Sequence, residues 1–175
     1  VVEEVVYPGK LISWKQSGQK VIFYSEASVL EITIVSHTIL KFRYANDGYF
    51  EDDFSYAVDP RFKPESIPFN VHHDEKNVFL ETDILRCSIS KVNLSKKIAT
   101  LDGKVIQEDE LGFHCKEERK YGGHVVISTI KNPKDSRYYG LGDKTGALNL
   151  SGTKRELWGT DCYGYGNETD PVYKN

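Results

Sequence analysis

The stretch VLEITIVSHTILKFRY, Val29 to Tyr44, decides the fold class. In its first half Leu30, Ile32 and Ile34 alternate with Val29, Glu31, Thr33 and Val35. In its second half Leu40, Phe42 and Tyr44 face one way and Lys41 and Arg43 the other. A period of two is the pleat of a β-strand, whereas a helix would repeat its apolar residues every three or four positions. The stretch therefore reads as two antiparallel strands, each with one wet face, closed by a turn at Asn46-Asp47-Gly48.

Working outward, the same pattern recurs. Val21 to Tyr24, Val78 to Thr82, Ile84 to Ile89 and His124 to Ile130 read as strands, and Lys97 to Leu101 and Lys104 to Gln107 flank the hairpin signal Asp102-Gly103. Residues 1–20 read as irregular, with turn signals at Pro8-Gly9 and Gly18. Residues 51–76, punctuated by Pro60, Pro64 and Pro68, read as an irregular excursion with room for one strand. Glu108 to Tyr121 is the one window given to a short helix. The sum is about ten short strands with frequent turns, the sequence form of an all-β antiparallel β-sandwich. No repeat or linker divides it, so residues 1–175 are expected to form a single domain whose last part, 139–175, is Gly-rich and loop-like.

Composition agrees. Val, Ile and Thr total 36 residues against 17 Ala and Leu, Met is absent and 21 residues are aromatic, a balance that favours strands. The length of 175 residues suits one domain with a real core. A net charge of −3 without a basic stripe argues against nucleic acid as a partner, and no apolar run is long enough to make a membrane one. A start at Val1 rather than Met suggests a processed product or an excised fragment. Cys87, Cys115 and Cys162 are odd in number and lack CxxC spacing, which argues against a disulfide framework or a zinc site and favours a reducing, cytoplasmic setting. Sequons at Asn93, Asn149 and Asn167 point the other way, towards secretion.

Few residues carry chemistry. His72-His73 is the only His pair, but neighbours on a strand point to opposite faces, so it reads as a solvated loop before the strand at Val78 rather than a metal or acid–base site. Glu51-Asp52-Asp53 and Glu117 to Lys120 read as wet turns. No GxSxG, P-loop or HExxH motif occurs, and no cofactor or metal is expected.

The tail is different. Tyr139-Gly140-Leu141-Gly142-Asp143-Lys144-Thr145-Gly146 leads to Leu157-Trp158-Gly159-Thr160-Asp161-Cys162-Tyr163, and then to Asp170-Pro171-Val172-Tyr173-Lys174. This string resembles the end of the N-terminal domain of glycoside hydrolase family 31, the α-glucosidase and α-xylosidase family, where a YGLGE turn precedes LWNTD and DPLYKSIPF. Asp143 stands for the usual Glu, Gly159 for Asn, and the chain stops at Asn175 before any IPF. The resemblance is tight over residues 138–174 and extends upstream only as strand pattern.

The resemblance implies a galactose-mutarotase-like sandwich that packs on a downstream catalytic (β/α)₈ barrel. That barrel, which takes roughly 200 residues, carries the family's two catalytic Asp residues, so no catalytic residue is expected in this chain. The implied role is the non-catalytic N-terminal domain of a retaining α-glucosidase-type enzyme acting on terminal α-linked sugars. The family places Asp161 beside the sugar on the leaving-group side, with Tyr163 at the neighbouring contact; Trp158 is expected to anchor the domain interface. A carboxylate accepts hydrogen bonds from sugar hydroxyls and an aromatic ring covers an apolar sugar face. Tyr138, Tyr139, Leu148, Leu150 and Trp158 are expected to be bared once the barrel is removed, supporting self-association of the isolated domain. The alternative is a free-standing carbohydrate-binding or aldose-mutarotase-like protein, which would need a His acid and a Glu base converging in a cleft. The five His residues offer candidates, but no spacing selects a pair.

Overall fold

A computed structural model describes residues 5–46, 48–118, 122–141, 146–155 and 157. Two compact units divide the chain, 1–131 and 132–175. Every regular element among the described residues is a strand. They are β1 (Val5–Val6), β2 (Leu11–Ser17), β3 (Lys20–Ser25), β4 (Val29–Ser36), β5 (Ile39–Ala45), β6 (Asn70–His73), β7 (Asn77–Glu81), β8 (Leu85–Ser90), β9 (Lys96–Thr100), β10 (Val105–Glu117) and β11 (His124–Ile130).

The first unit holds two antiparallel sheets. A four-stranded meander runs β2-β3-β4-β5, and a seven-stranded sheet runs β1-β10-β9-β8-β7-β6 with β11 also on β10. The inward residues of both sheets form the core: Val21, Phe23, Leu30, Ile32 and Ile34 meet Val78, Leu80, Cys87 and Ile89, with Ile67 and Leu94 beside them. Burying each such side chain stabilises by about 1.5–3 kcal/mol. Tyr44 of β5 stacks on Phe113 of β10, rings 4.0 Å apart and 5° from parallel.

Four expectations are corrected. Residues 11–17 are a strand rather than irregular chain. Their period is masked by a register shift between Leu11 and Ser13 and by the mostly wet side chains of this edge. Glu108 to Glu117 is strand, not helix. A bulge between Asp109 and Gly112 breaks its alternation, and Phe113 to Cys115 are buried in succession. His72 and His73 belong to β6 rather than to a loop. Finally, β4 has no wet face. Glu31, Thr33 and Val35 are buried along with Leu30, Ile32 and Ile34. Lys20 Nζ, 3.0 Å from Glu31, and Arg43 Nη1, 3.7 Å from it, supply the countercharge that lets a carboxylate be buried there.

Candidate functional site

Asp161, Tyr163 and Trp158 lie outside the described residues. Of the run before them, residues 132–141 and 146–155 are described, and Asn149 organises these. Its Oδ1 accepts the Tyr138 amide at 3.2 Å and the Ser151 amide at 3.1 Å. The Ser151 hydroxyl sits 2.7 Å from the same oxygen and 2.9 Å from the Ser136 carbonyl. The Leu150 amide returns a bond to the Tyr138 carbonyl at 2.8 Å, so Tyr138 is held through both its backbone groups. Beyond it the chain turns through Gly140 and Leu141 with φ of 86° and 65°. The first suits glycine, as the turn reading requires; the second is uncommon for a residue with a side chain. Tyr138, Tyr139 and Leu148 of this unit are exposed as expected, while Leu150 is buried.

The histidines do not assemble a site. His72 stacks on Phe79, centroids 5.0 Å apart, with Nε2 at 3.9 Å from Glu81. Its neighbour His73 meets the edge of Trp14 instead. His114 is buried against Tyr7, and His37 pairs with Asp83. Among the described residues no cluster of His, Cys, Asp and Glu could hold a metal ion.

Sequence reasoning missed a buried ion pair in the sandwich. Lys96, 7% exposed, points inward from β9 and places Nζ 2.8 Å from Asp109 Oδ1 on β10. Asp109 Oδ2 accepts the Lys96 backbone amide at 2.9 Å, so one carboxylate serves both the charge and the main chain. The signal was available: Lys96 falls on the same face as Ile98, opposite Lys97. The ammonium also lies 5.5 Å from the Phe42 ring. A cleft of about 380 Å³ opens here between Phe42, Tyr44, Lys96, Gln107, Phe113, Val126 and Ser128. Burial pushes the Cys87 thiol up to about 12, leaving no thiolate at neutral pH. Burial first, then the Asp109 carboxylate, raises the Tyr44 phenol above its ordinary range. Lys96 is committed to Asp109. The Lys96–Asp109 pair ties β9 to β10.

Comparison with known proteins supplies what the described geometry alone does not. The family model of the glycosyl hydrolase 31 N-terminal galactose mutarotase-like domain matches residues 29–175. The chain belongs to that family. This family 31 domain is 25% identical over 169 residues to alpha-glucosidase 2 of Bacillus thermoamyloliquefaciens, covering 95% of this chain and 21% of that protein. It superposes on the GH31 dextranase of Flavobacterium johnsoniae with a TM-score of 0.78 at 25% identity, covering 96% of this chain and 20% of the dextranase. The cycloalternan-forming enzyme of Listeria monocytogenes shares the fold, with a TM-score of 0.72 at 16% identity over 93% of this chain and 15% of that one. The domain thus spans about a fifth of the length of the first two relatives. All-β and antiparallel, it has the galactose-mutarotase-like architecture that the sequence implies.

Proposed function

We propose that this domain is the non-catalytic N-terminal part of a retaining α-glucosidase-type glycosidase that removes terminal α-linked sugars. In this reading it packs on the enzyme's catalytic barrel and supplies the segment around Asp161 and Tyr163 to the rim of the substrate site. The observation that carries it is the family match over residues 29–175, which includes the whole motif-bearing tail.

The role assigned to Asp161 follows from leaving-group chemistry. A carboxylate accepts hydrogen bonds from the hydroxyls of a departing sugar; an aryl leaving group has none to offer. In the full-length enzyme Asp161→Ala therefore lowers kcat/KM for an α-linked disaccharide by roughly ten- to hundredfold, the worth of one charged hydrogen bond, and spares an aryl α-glucoside. Tyr163→Ala is expected to act in the same direction by baring the sugar's apolar face. Equal losses on both substrates, together with a lowered melting temperature, would make Asp161 a turn-capping residue. A full-length polypeptide without glycosidase activity would defeat the reading as a whole.

A further inference from the structure

The excursion between β5 and β6 is pinned on one side and bare on the other. Asp53 pairs with Lys41, and Arg43 donates to the Glu51 carbonyl while standing 5.0 Å over the Phe50 ring. Backbone bonds from Phe54 to Asp52 (3.0 Å) and Phe62 to Asp59 (2.8 Å) turn it locally, and one from Glu65 to Val35 (2.9 Å) ties its far part to β4. Yet Tyr49, Phe54, Tyr56, Val58 and Phe62 are all exposed, Tyr56 at 99%. Single exposed apolar residues are ordinary. Five within the fourteen residues 49–62, on a backbone held in place, are not. A clustered apolar surface rich in aromatics is the mark of an interface.

We propose that this strip is the seat for the catalytic barrel of the same polypeptide. The proposal rests on the reading above that such a barrel follows. Three observations favour that occupant. Relatives that share this domain carry it as about a fifth of their length, so a far larger body must find a surface on it. Two of the strip's carboxylates are neutralised from within the chain, Asp53 by Lys41 and Asp59 by Arg61, which lowers the cost of desolvating it. The rings of Phe54 and Tyr56, 4.8 Å apart, cross at 84°. That edge-to-face pair offers a knob for a groove rather than the flat platform on which a pyranose stacks.

The test is hydroxyl-radical labelling of Tyr49, Phe54, Tyr56 and Phe62 in the full-length polypeptide, each side chain referenced to its rate in the urea-unfolded chain. Under a bound barrel the four label more slowly by about tenfold, because opening must precede attack. Labelling near the unfolded rate overturns the proposal. Protection that disappears on dilution would give the strip to a second copy of the chain, and protection that needs added maltotriose would give it to sugar; either also overturns it. Glycosidase activity is measured on the same preparation. An active enzyme with an unprotected strip rejects this surface alone, whereas a full-length polypeptide without activity rejects the family-based reading beneath it.

Discussion

Asp109→Ala is the substitution from which the sandwich has most to lose. Lys96 and Asp109 have side-chain exposures of 7% and 0%, so little solvent reaches them to replace a lost partner. Removing Asp109 strands a buried ammonium, which costs about 3–5 kcal/mol. It also strands the Lys96 backbone amide, bound now to Asp109 Oδ2, at about 1–3 kcal/mol more. Together these rival the about 5–15 kcal/mol that holds a typical domain folded. Lys96→Met strands only the carboxylate and keeps the backbone bond, so it costs less than Asp109→Ala. The double variant Lys96→Met, Asp109→Leu buries no charge and recovers most of the single-variant losses, leaving about the 1–3 kcal/mol of the orphaned amide. The assay is equilibrium urea unfolding of the chain and its three variants, each loss compared with the others. Single-variant losses under about 1 kcal/mol would place the pair among solvated surface ion pairs, and the burial argument would fail. Equal losses for the two single variants would show that the amide bond contributes nothing.

Three further outcomes follow from geometry. Gly112 sits at φ +70°, and a Cβ there would stand 3.0 Å from Asp109 Oδ2; Gly112→Ala should cost about 1–2 kcal/mol in the same urea assay, and an unchanged midpoint would contradict the left-handed assignment. Asp74 Oδ1 accepts the amides of Asn77 at 2.6 Å and Lys76 at 2.7 Å, and the Asn77 bond foremost holds its carboxyl below the usual range. Its stabilisation is therefore present above the unfolded carboxyl's titration near about pH 4 and is lost as pH falls through the lowered one. The melting-temperature deficit of Asp74→Asn should shrink between pH 7 and about pH 2; a deficit that grows on acidification would refute the sign. Residues 1–175 alone should turn over no aryl α-glucoside or α-xyloside, and turnover abolished by a substitution within the sandwich would show that the domain carries chemistry of its own.

Much of the fold was legible because alternation survives wherever a strand has regular neighbours. Val21 to Tyr24, Val78 to Glu81 and His124 to Thr129 are paired in unbroken register, and each reads correctly from residues alone. The failures share one cause: tertiary context rewrote the local pattern. A bulge scrambled the middle of β10, so its acidic run passed for a helix surface. In β4 the alternation was right and its meaning was not, since Lys20 and Arg43 enclose the face that Glu31 marks as polar. The buried Lys96–Asp109 pair escaped for a similar reason. A lysine on a strand is read as wet unless its apolar face-mate, here Ile98, is weighed against it. The tail was legible by another route. Its motif carried the family, while the geometry of Asp161 and Tyr163 lay beyond any periodicity.

The strand order also sets a timetable. From β2 to β5, and again from β6 to β11, each strand pairs with the one just before it in sequence, so these hairpins can close in the order in which they are synthesised. The exception is β1. Val5 and Val6 pair with Lys116 and Cys115, more than a hundred residues later. At ordinary translation speeds of about 5–20 residues per second, the first strand waits roughly 5–20 s for its partner to be made. Two valines and their neighbours stay unpaired through that interval, while both sheets can assemble without them. β1 is thus the strand that waits longest for its partner, and a chaperone or protease meeting the nascent domain would find it still unpaired.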